Sequence, residues 1–190
     1  MEVETVEETE DVLKVEISDI NEVIANSLRR SMMIKVPTLS VQELTVTKNG
    51  SALIDEVLAN RIGQVPFTVP QNVEEEDTVH IALKQEGPGT VLAEDLQADN
   101  DEAEPVNPDA VLVDLKEDQA VELEAEAELG RGEEHAKHQG GTIGYEKKDE
   151  GVYEFRIEST SGYTNEELLE KGVQEIKNQL DEFGEAVAEI

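Results

Sequence analysis

The feature that most constrains the fold is a strict alternation of apolar and acidic residues between positions 121 and 129. One glutamate separates each apolar residue from the next in the series Val121, Leu123, Ala125, Ala127 and Leu129. Because successive side chains of a β-strand point to opposite faces, this period of two predicts a strand with one face in a core and the other in water. Shorter apolar segments predict further strands at 12–17, 79–83, 111–115 and 153–157.

A segment near the beginning of the chain has the periodicity of a helix. Its apolar residues recur every four positions, at Ile20, Ile24, Leu28 and Met32. Asp19 and Asn21 are both suitable N-caps, and Pro37 ends the helix near Lys35 by removing a backbone donor. The pattern predicts an amphipathic helix with one face in a core.

A second helix is predicted from Thr164 to the C-terminus. Thr164 and Glu167 have the spacing of a capping box, in which each side chain accepts a hydrogen bond from the other residue's backbone. The apolar residues that follow step by four and three, at Leu169, Val173, Ile176, Leu180, Phe183 and Val187. Such a heptad seam packs along another helix. Two alternatives stay open, a helix of this chain and a helix of another chain.

Three weaker patterns lie between these helices. Asn49-Gly50 follows an apolar strand segment and predicts a two-residue β-hairpin. A short helix is predicted over Asp55–Ile62, capped by Asp55 and stopped by Gly63. The acidic, proline-containing stretch 94–109 predicts an exposed loop.

The charge of the chain points to a salt-rich cytoplasm. The chain has 46 acidic and 15 basic residues, a formal net charge of −31. Such a charge repels itself in dilute buffer, whereas at molar salt the Debye length falls to about 3 Å and the repulsion is screened. Without a basic surface, direct binding to nucleic acid is disfavoured. The alternative interpretation is a free-standing acidic protein-binding module, such as a histone-binding protein or a nucleic-acid mimic.

Targeting and redox signals are absent from the sequence. No apolar run reaches the roughly 20 residues of a membrane span, and the first eleven residues are acidic, unlike a secretory signal. The chain has no cysteine, which excludes thiolate metal sites, disulfides and cysteine-held iron–sulfur clusters. We therefore expect a soluble, cytoplasmic protein without a membrane partner.

The residues that suggest enzymatic chemistry are few. His135 and His138, beside Glu133 and Glu134, have a spacing that would put two imidazoles on one helical turn, and a metal-dependent hydrolase is the corresponding hypothesis. However, no HExxH motif is present, the chain has only three histidines, and the segment is rich in glycine. We therefore predict no catalytic residue and no metal site.

The arginines are more informative than the histidines. Four of the five lie in the predicted helices and the glycine-rich segment, at Arg29, Arg30, Arg61 and Arg131. Arginines beside small residues are typical of desolvated contacts with carboxylates of a partner protein. The alternative is that they pair with the surplus carboxylates of their own chain.

Three motifs containing these arginines resemble a known family. They are Ala25–Met32 (ANSLRRSM) followed by Val36-Pro37-Thr38, Asp55–Gly63 (DEVLANRIG) followed by Val65-Pro66, and Leu129–Lys137 (LGRGEEHAK). In this order they resemble the alpha-type assembly subunits of DNA-directed RNA polymerase, in particular the D-type subunits of archaea. The acidity suggests a haloarchaeal member.

The resemblance implies an α+β fold with two domains. A discontinuous dimerisation domain, 1–42 and 149–190, would combine an antiparallel sheet with two helices. The inserted, mainly β second domain would comprise 43–148. Many relatives carry an iron–sulfur cluster in an insertion near 66–79. Here that link is short and lacks cysteine, so we predict no cofactor.

The resemblance also implies a function and its partners. The chain would be a non-catalytic assembly subunit that pairs with the small subunit L through its first and last helices. The Arg61 and Arg131 segments would contact the large subunits, chiefly the second largest, and the small subunits N and P would complete the platform. The residues predicted to form the partner interface are Ala25, Asn26, Leu28, Arg29, Arg30, Met32, Arg61, Arg131, Gly132, His135, Lys137, Ile176, Leu180 and Phe183.

Overall fold

The computed structural model of the chain describes residues 1–74 and 76–188, and it divides into two compact units. Unit 1 comprises 1–37 and 131–190, and unit 2 comprises 38–130. The predicted inserted domain, 43–148, ends later than unit 2. The strand Gly141–Asp149 belongs to unit 1, because it pairs along its length with the strand Val152–Ser159 of that unit. The domain assignment itself stays a prediction.

The described residues form three α-helices and antiparallel sheets, which confirms the predicted α+β class. In unit 1 the elements are β1 (Glu2–Glu8), β2 (Leu13–Ser18), α1 (Glu22–Ile34), a 3₁₀ turn (Ala136–His138), β10 (Gly141–Asp149), β11 (Val152–Ser159) and α3 (Asn165–Ala188). In unit 2 they are β3 (Thr38–Asn49), α2 (Asp55–Gly63), β4 (Pro66–Phe67), β5 (Thr78–Glu86), β6 (Gly89–Leu92), a 3₁₀ turn (Ala93–Asp95), β7 (Gln97–Ala98), β8 (Val111–Leu115) and β9 (Ala120–Gly130). The predicted end of the last helix, at 189–190, lies outside the described residues.

Unit 1 is a four-stranded sheet covered by α1 and α3. Its strand order is β1-β2-β11-β10, so the segments before α1 and after the insertion of unit 2 form one sheet. Alternate residues of β2 and β11 are buried, as their period of two predicts. The core consists of Leu13, Val15, Ile17, Ile20, Ala25, Leu28, Met32, Val36, Ile143, Tyr153, Phe155, Ile157 and Leu168.

Helix α1 confirms its predicted cap and corrects its predicted face. The Asn21 side chain accepts a hydrogen bond from the backbone N–H of Ile24 at 3.0 Å. The stripe in the core, however, is Ala25, Leu28 and Met32, whereas Ile24 is 43% exposed. Ile20 precedes the helix. Within the helix, a spacing of four drifts around a turn of 3.6 residues, so Ile24, in the first turn, lies outside the buried face.

Helices α1 and α3 approach each other closely at Gly172. A Cβ on Gly172 would lie 2.5 Å from Cγ of Met32. The buried Ser31 hydroxyl donates a hydrogen bond to the Gly172 carbonyl oxygen at 2.7 Å. A residue without a side chain therefore sets the distance between the two helices.

Unit 2 is built around the alternating strand that dominates the sequence. Strand β9 lies at the centre of a sheet with the order β4-β3-β9-β5-β7. Val121, Leu123, Ala125 and Ala127 are buried as predicted, and Leu129 is half-buried. Helix α2 packs against this core through Leu58 and Ile62.

The Asn49-Gly50 hairpin prediction is wrong. Strand β3 pairs with the distant β9, and the next element after β3 is α2. The Asn49 side chain instead binds the chain that leads into α2, donating to the Leu53 carbonyl oxygen and to the Asp55 carboxylate at 2.9 and 2.7 Å. The capping prediction for α2 is also wrong, because Asp55 is the first helical residue and Ile54 holds the cap position.

The stretch 94–109 is not the exposed loop that was predicted. Leu96 and Ala103 are buried in the core of unit 2, and the short strand β7 pairs with β5. The acidic composition of the stretch did not indicate this burial. A few apolar side chains are enough to hold an otherwise solvated segment against a core.

Candidate partner interface

The C-terminal half of α3 has an uncovered apolar face. The helix begins with the predicted capping box, in which Thr164 N–H donates to the Glu167 carboxylate at 2.8 Å and Glu167 N–H donates to the Thr164 hydroxyl at 3.2 Å. Its first turns bury Leu168 and Gly172. Beyond Ile176, every described residue of the helix is exposed.

The predicted heptad seam divides at this point. Leu169 and Ile176 pack partly against the core of unit 1, whereas Val173 between them is 52% exposed. Further along the seam, Leu180 and Phe183 are 64% and 68% exposed, and Val187 is 51% exposed. The outer half of the seam therefore has no cover among the described residues of unit 1.

Helix α1 adds a second exposed stripe to the same unit. Val23, Ser27 and Arg30 are exposed and lie at positions i, i+4 and i+7, on one side of the helix. A groove of about 390 Å³ joins the two helices, and its lining residues are Ser27, Arg30, Ser31, Lys35, Ile176, Gln179 and Leu180. The groove thus brings together three predicted interface residues, Arg30, Ile176 and Leu180.

The predicted interface residues did not include Ser27, Ser31, Lys35 and Gln179, which also line the groove. The spacing of Val23, Ser27 and Arg30 was the signal available in α1. Ser27 was not predicted as an interface residue, because small polar residues are common on exposed helix faces.

The other predicted residues of α1 bind within their own unit. Arg29 donates to the Asn26 side-chain oxygen at 3.1 Å and to the Met33 sulfur at 3.0 Å. Ala25, Leu28 and Met32 lie in the core of unit 1. Their assignment to a partner interface stays an untested prediction.

The Arg131 segment holds the C-terminal end of α1. The Arg131 guanidinium donates to the Lys35 carbonyl oxygen at 3.1 Å. The backbone N–H of Glu133 donates to the Ile34 carbonyl oxygen, and that of Gly140 donates to the Met33 carbonyl oxygen. These bonds satisfy carbonyl groups that have no partner within the helix.

Arg131 also reaches α3. Its guanidinium lies 3.9 Å from the Glu175 carboxylate, and both side chains are mostly buried. The predicted alternative, pairing with carboxylates of the same chain, therefore holds for Arg131. Gly132 is required at its position, because a Cβ there would lie 2.9 Å from the Met33 carbonyl oxygen.

The two histidines of this segment have different surroundings. His135 is exposed, and its Nδ1 accepts a hydrogen bond from the backbone N–H of Lys137 at 3.1 Å. His138 is buried. Among the described residues, no three His, Asp or Glu side chains come together in a metal-binding arrangement.

Arg61 is the predicted interface residue of unit 2. It is exposed on α2, and its guanidinium donates to the Leu112 carbonyl oxygen at 3.0 Å. This bond fixes one end of the guanidinium while the residue as a whole stays accessible to solvent. Within residues 1–74 and 76–188, no helix is long and apolar enough to cross a membrane.

Comparisons with known proteins identify the family. The model of the RNA polymerase Rpb3/RpoA insert domain matches residues 34–146, more than half of the chain. DNA-directed RNA polymerase subunit Rpo3 of Natronomonas pharaonis is 45% identical over 130 residues, which are 68% of this chain and 53% of that protein. The subunit of the same name from Methanocaldococcus jannaschii is 33% identical over 159 residues, 84% of this chain and 82% of that protein. The chain belongs to the Rpo3 family.

A third Rpo3 protein agrees with this assignment and shows the extent of the match. The Rpo3 subunit of Pyrococcus furiosus is 40% identical over 152 residues, 76% of this chain and 58% of that protein. The chain spans little more than half the length of the Natronomonas and Pyrococcus relatives. The insert-domain match includes all of unit 2, in agreement with the predicted inserted β domain. The resemblance to the archaeal assembly subunits of RNA polymerase is confirmed.

Tyr163 gives the junction between α1 and α3 of this Rpo3-family chain a pH dependence. Its hydroxyl donates to the Pro37 carbonyl oxygen at 3.0 Å. Burial, together with the carboxylates of Glu167 and Glu175, raises the pKa of Tyr163 to about 12. An unfolded tyrosine has a pKa of about 10, so between these values the folded state holds the proton that the unfolded state has released.

We therefore expect the contribution of Tyr163 to stability to be complete below about pH 10 and lost as the pH rises toward 12. Denaturant unfolding at molar salt would compare the wild type with Tyr163→Phe. Near neutral pH the variant should be less stable by about 1 kcal/mol, the value of one hydrogen bond. The difference should shrink above pH 10. A difference that stays constant to pH 11.5 would contradict the prediction.

Proposed function

We propose that the chain is a non-catalytic assembly subunit of DNA-directed RNA polymerase that pairs with the small subunit L. The observation that carries the proposal is the uncovered apolar seam of α3, which the groove connects to α1. The exposed apolar side chains of Leu180, Phe183 and Val187 lie along one side of the helix, which is unusual in a chain with a net charge of −31. Contiguous exposed apolar surface marks protein interaction sites.

A partner helix is the occupant that suits this surface. The exposed stripe repeats by three and four residues, the spacing at which a second helix fits its side chains between those of the first. An obligate interface of this kind buries more than roughly 2,000 Å² in total. Pairing would supply the cover that unit 1 itself does not give these side chains.

The two units would then have separate tasks. Unit 1 would be the dimerisation domain, and unit 2 would be the inserted domain. The Arg61 and Arg131 segments would contact the large subunits, chiefly the second largest, with the small subunits N and P completing the platform. The catalytic site would belong to the large subunits, and this chain would bind neither nucleic acid nor a cofactor.

The distribution of carboxylates supports a working environment of molar salt, in the cytoplasm of a haloarchaeon. Glu122, Glu124, Glu126 and Glu128 lie on the polar face of β9, and Glu43 of β3 is directly opposite Glu126. Like charges opposite each other across two strands destabilise a sheet. Molar salt screens this repulsion.

The test is purification of the tagged chain from its native cytoplasm at molar potassium chloride, with mass spectrometry of the co-eluting chains. We expect two very large chains and a small one of roughly 10 kDa, in amounts equal to that of the tagged chain. The proposal would be overturned if the chain elutes as a stable monomer and does not bind purified subunit L.

The acidic-module alternative rests on the net charge and makes a different prediction. A histone or another basic partner would co-elute in dilute salt and would be lost steeply as the salt concentration rises. Pairing through the apolar seam would instead persist at molar salt, because burial of apolar surface does not weaken with ionic strength.

A further inference from the structure

We propose that the groove between α1 and α3 receives a carboxylate of the partner helix, with Arg30 as its binding site. The proposal rests on the proposed pairing and names the chemistry of one contact within it. The partner helix would carry an Asp or Glu beside Arg30. An aliphatic residue three or four positions away would pack on Ile176 and Leu180.

Among the described cations of unit 1, Arg30 is the one that lines the groove without a carboxylate partner. Most of these pair with carboxylates of their own unit, for example Lys35 with Glu133 at 2.6 Å and Arg131 with Glu175 at 3.9 Å. In residues 1–74 and 76–188, the Arg30 side chain has no ion pair or hydrogen bond. The Arg30 guanidinium is therefore unpaired among these residues, although the chain has 46 acidic residues.

The position of Arg30 explains what its partner must be. It lies on the wall of the groove opposite Ile176 and Leu180, next to Ser27. A guanidinium at the edge of an apolar groove binds a carboxylate through two parallel hydrogen bonds, and the apolar wall removes the water that would compete. Lys35, on the same wall, is neutralised by Glu133, so the free positive charge is at Arg30.

Charge also excludes a second copy of this chain as the favoured occupant. The outer half of α3 carries Asp181, Glu182 and Glu185 around its seam. Two such helices would place these carboxylates near each other, which is unfavourable. A helix of another protein can place a single carboxylate at Arg30 and carry uncharged or basic residues at the positions that flank the contact.

The test is a double-mutant cycle with purified subunit L at molar potassium chloride. Arg30→Gln should weaken pairing about 30-fold, because it leaves the partner's carboxylate without its charge partner in a desolvated site. Each Asp and Glu of the helices of subunit L is then changed to its amide, against both wild-type chain and Arg30→Gln. One of these amides should weaken pairing with the wild type and have less than about a twofold effect with the variant.

The controls separate this inference from the pairing itself. Arg30→Lys should recover part of the affinity, since it restores the charge but not the two parallel bonds. Lys147→Gln removes a charge from β10 of the same unit and should leave pairing unchanged. If subunit L pairs with Arg30→Gln as tightly as with the wild type, the groove inference fails while the pairing stands. If subunit L binds neither protein, the proposed function itself fails.

Discussion

Phe183→Asp is expected to weaken pairing with subunit L at least about 100-fold, because charging a central apolar anchor of an interface costs about 3 kcal/mol or more. Phe183 is the largest side chain of the seam and is 68% exposed in unit 1. A carboxylate there would be buried by the partner without a charge to pair with. Leu180→Asp should act in the same direction, since Leu180 also lines the groove.

The same exposure makes the result specific to pairing. Because Phe183 contributes little to the core of unit 1, we expect the isolated variant to unfold at the same denaturant concentration as the wild type. Asn178→Asp is the matched control. It adds the same charge to α3 about half a turn away from the seam, at an exposed position. Equal affinities of the wild type and Phe183→Asp for subunit L, measured by titration calorimetry at molar salt, would remove the seam from the interface.

Gly140→Ala is expected to lower the free energy of unfolding by about 2–3 kcal/mol, the cost of forcing an extra carbon into a closed site. A Cβ at this position would overlap the Met32 carbonyl oxygen and lie 2.9 Å from a methyl group of Leu168. The backbone N–H of Gly140 also donates to the Met33 carbonyl oxygen. The clash can be relieved only by moving the chain away from α1, which breaks this bond.

Gly144→Ala is the control for this substitution. It lies on β10 four residues later, where a Cβ would meet nothing within 4 Å. The two variants thus make the same chemical change in the same segment. We expect Gly144→Ala to be as stable as the wild type or slightly more stable. Denaturant unfolding of both at molar salt checks the prediction. Equal stability of the two variants would show that the segment is not held against α1.

The parts of the fold that the sequence predicted are those encoded within a few residues. The Asn21 cap, the Thr164–Glu167 capping box and the alternation of β9 all appear in the structure as predicted. Each depends on contacts within one turn or on the repeat of one strand, so nearby residues are sufficient to specify it.

The predictions that failed depended on distant residues. Asn49-Gly50 has the composition of a hairpin turn, but β3 pairs with β9, which follows about 80 residues later in the chain. The long antiparallel pairing buries more apolar surface than a local hairpin would, and it therefore overrides the turn preference. Strand β10 was missed for a similar reason, because its residues are too polar to signal a strand without their neighbour β11.

For the candidate interface, the sequence by itself determined the heptad seam of α3, the arginines of α1 and the family that the three motifs resemble. It did not determine which half of the seam is covered, because that depends on how far unit 1 extends along α3. The tertiary structure decided this by ending the core near Ile176 and leaving Leu180 and Phe183 exposed. It also placed Arg131 beside Glu175 and left Arg30 on a groove between α1 and α3, because both outcomes depend on how distant segments pack and not on neighbouring residues.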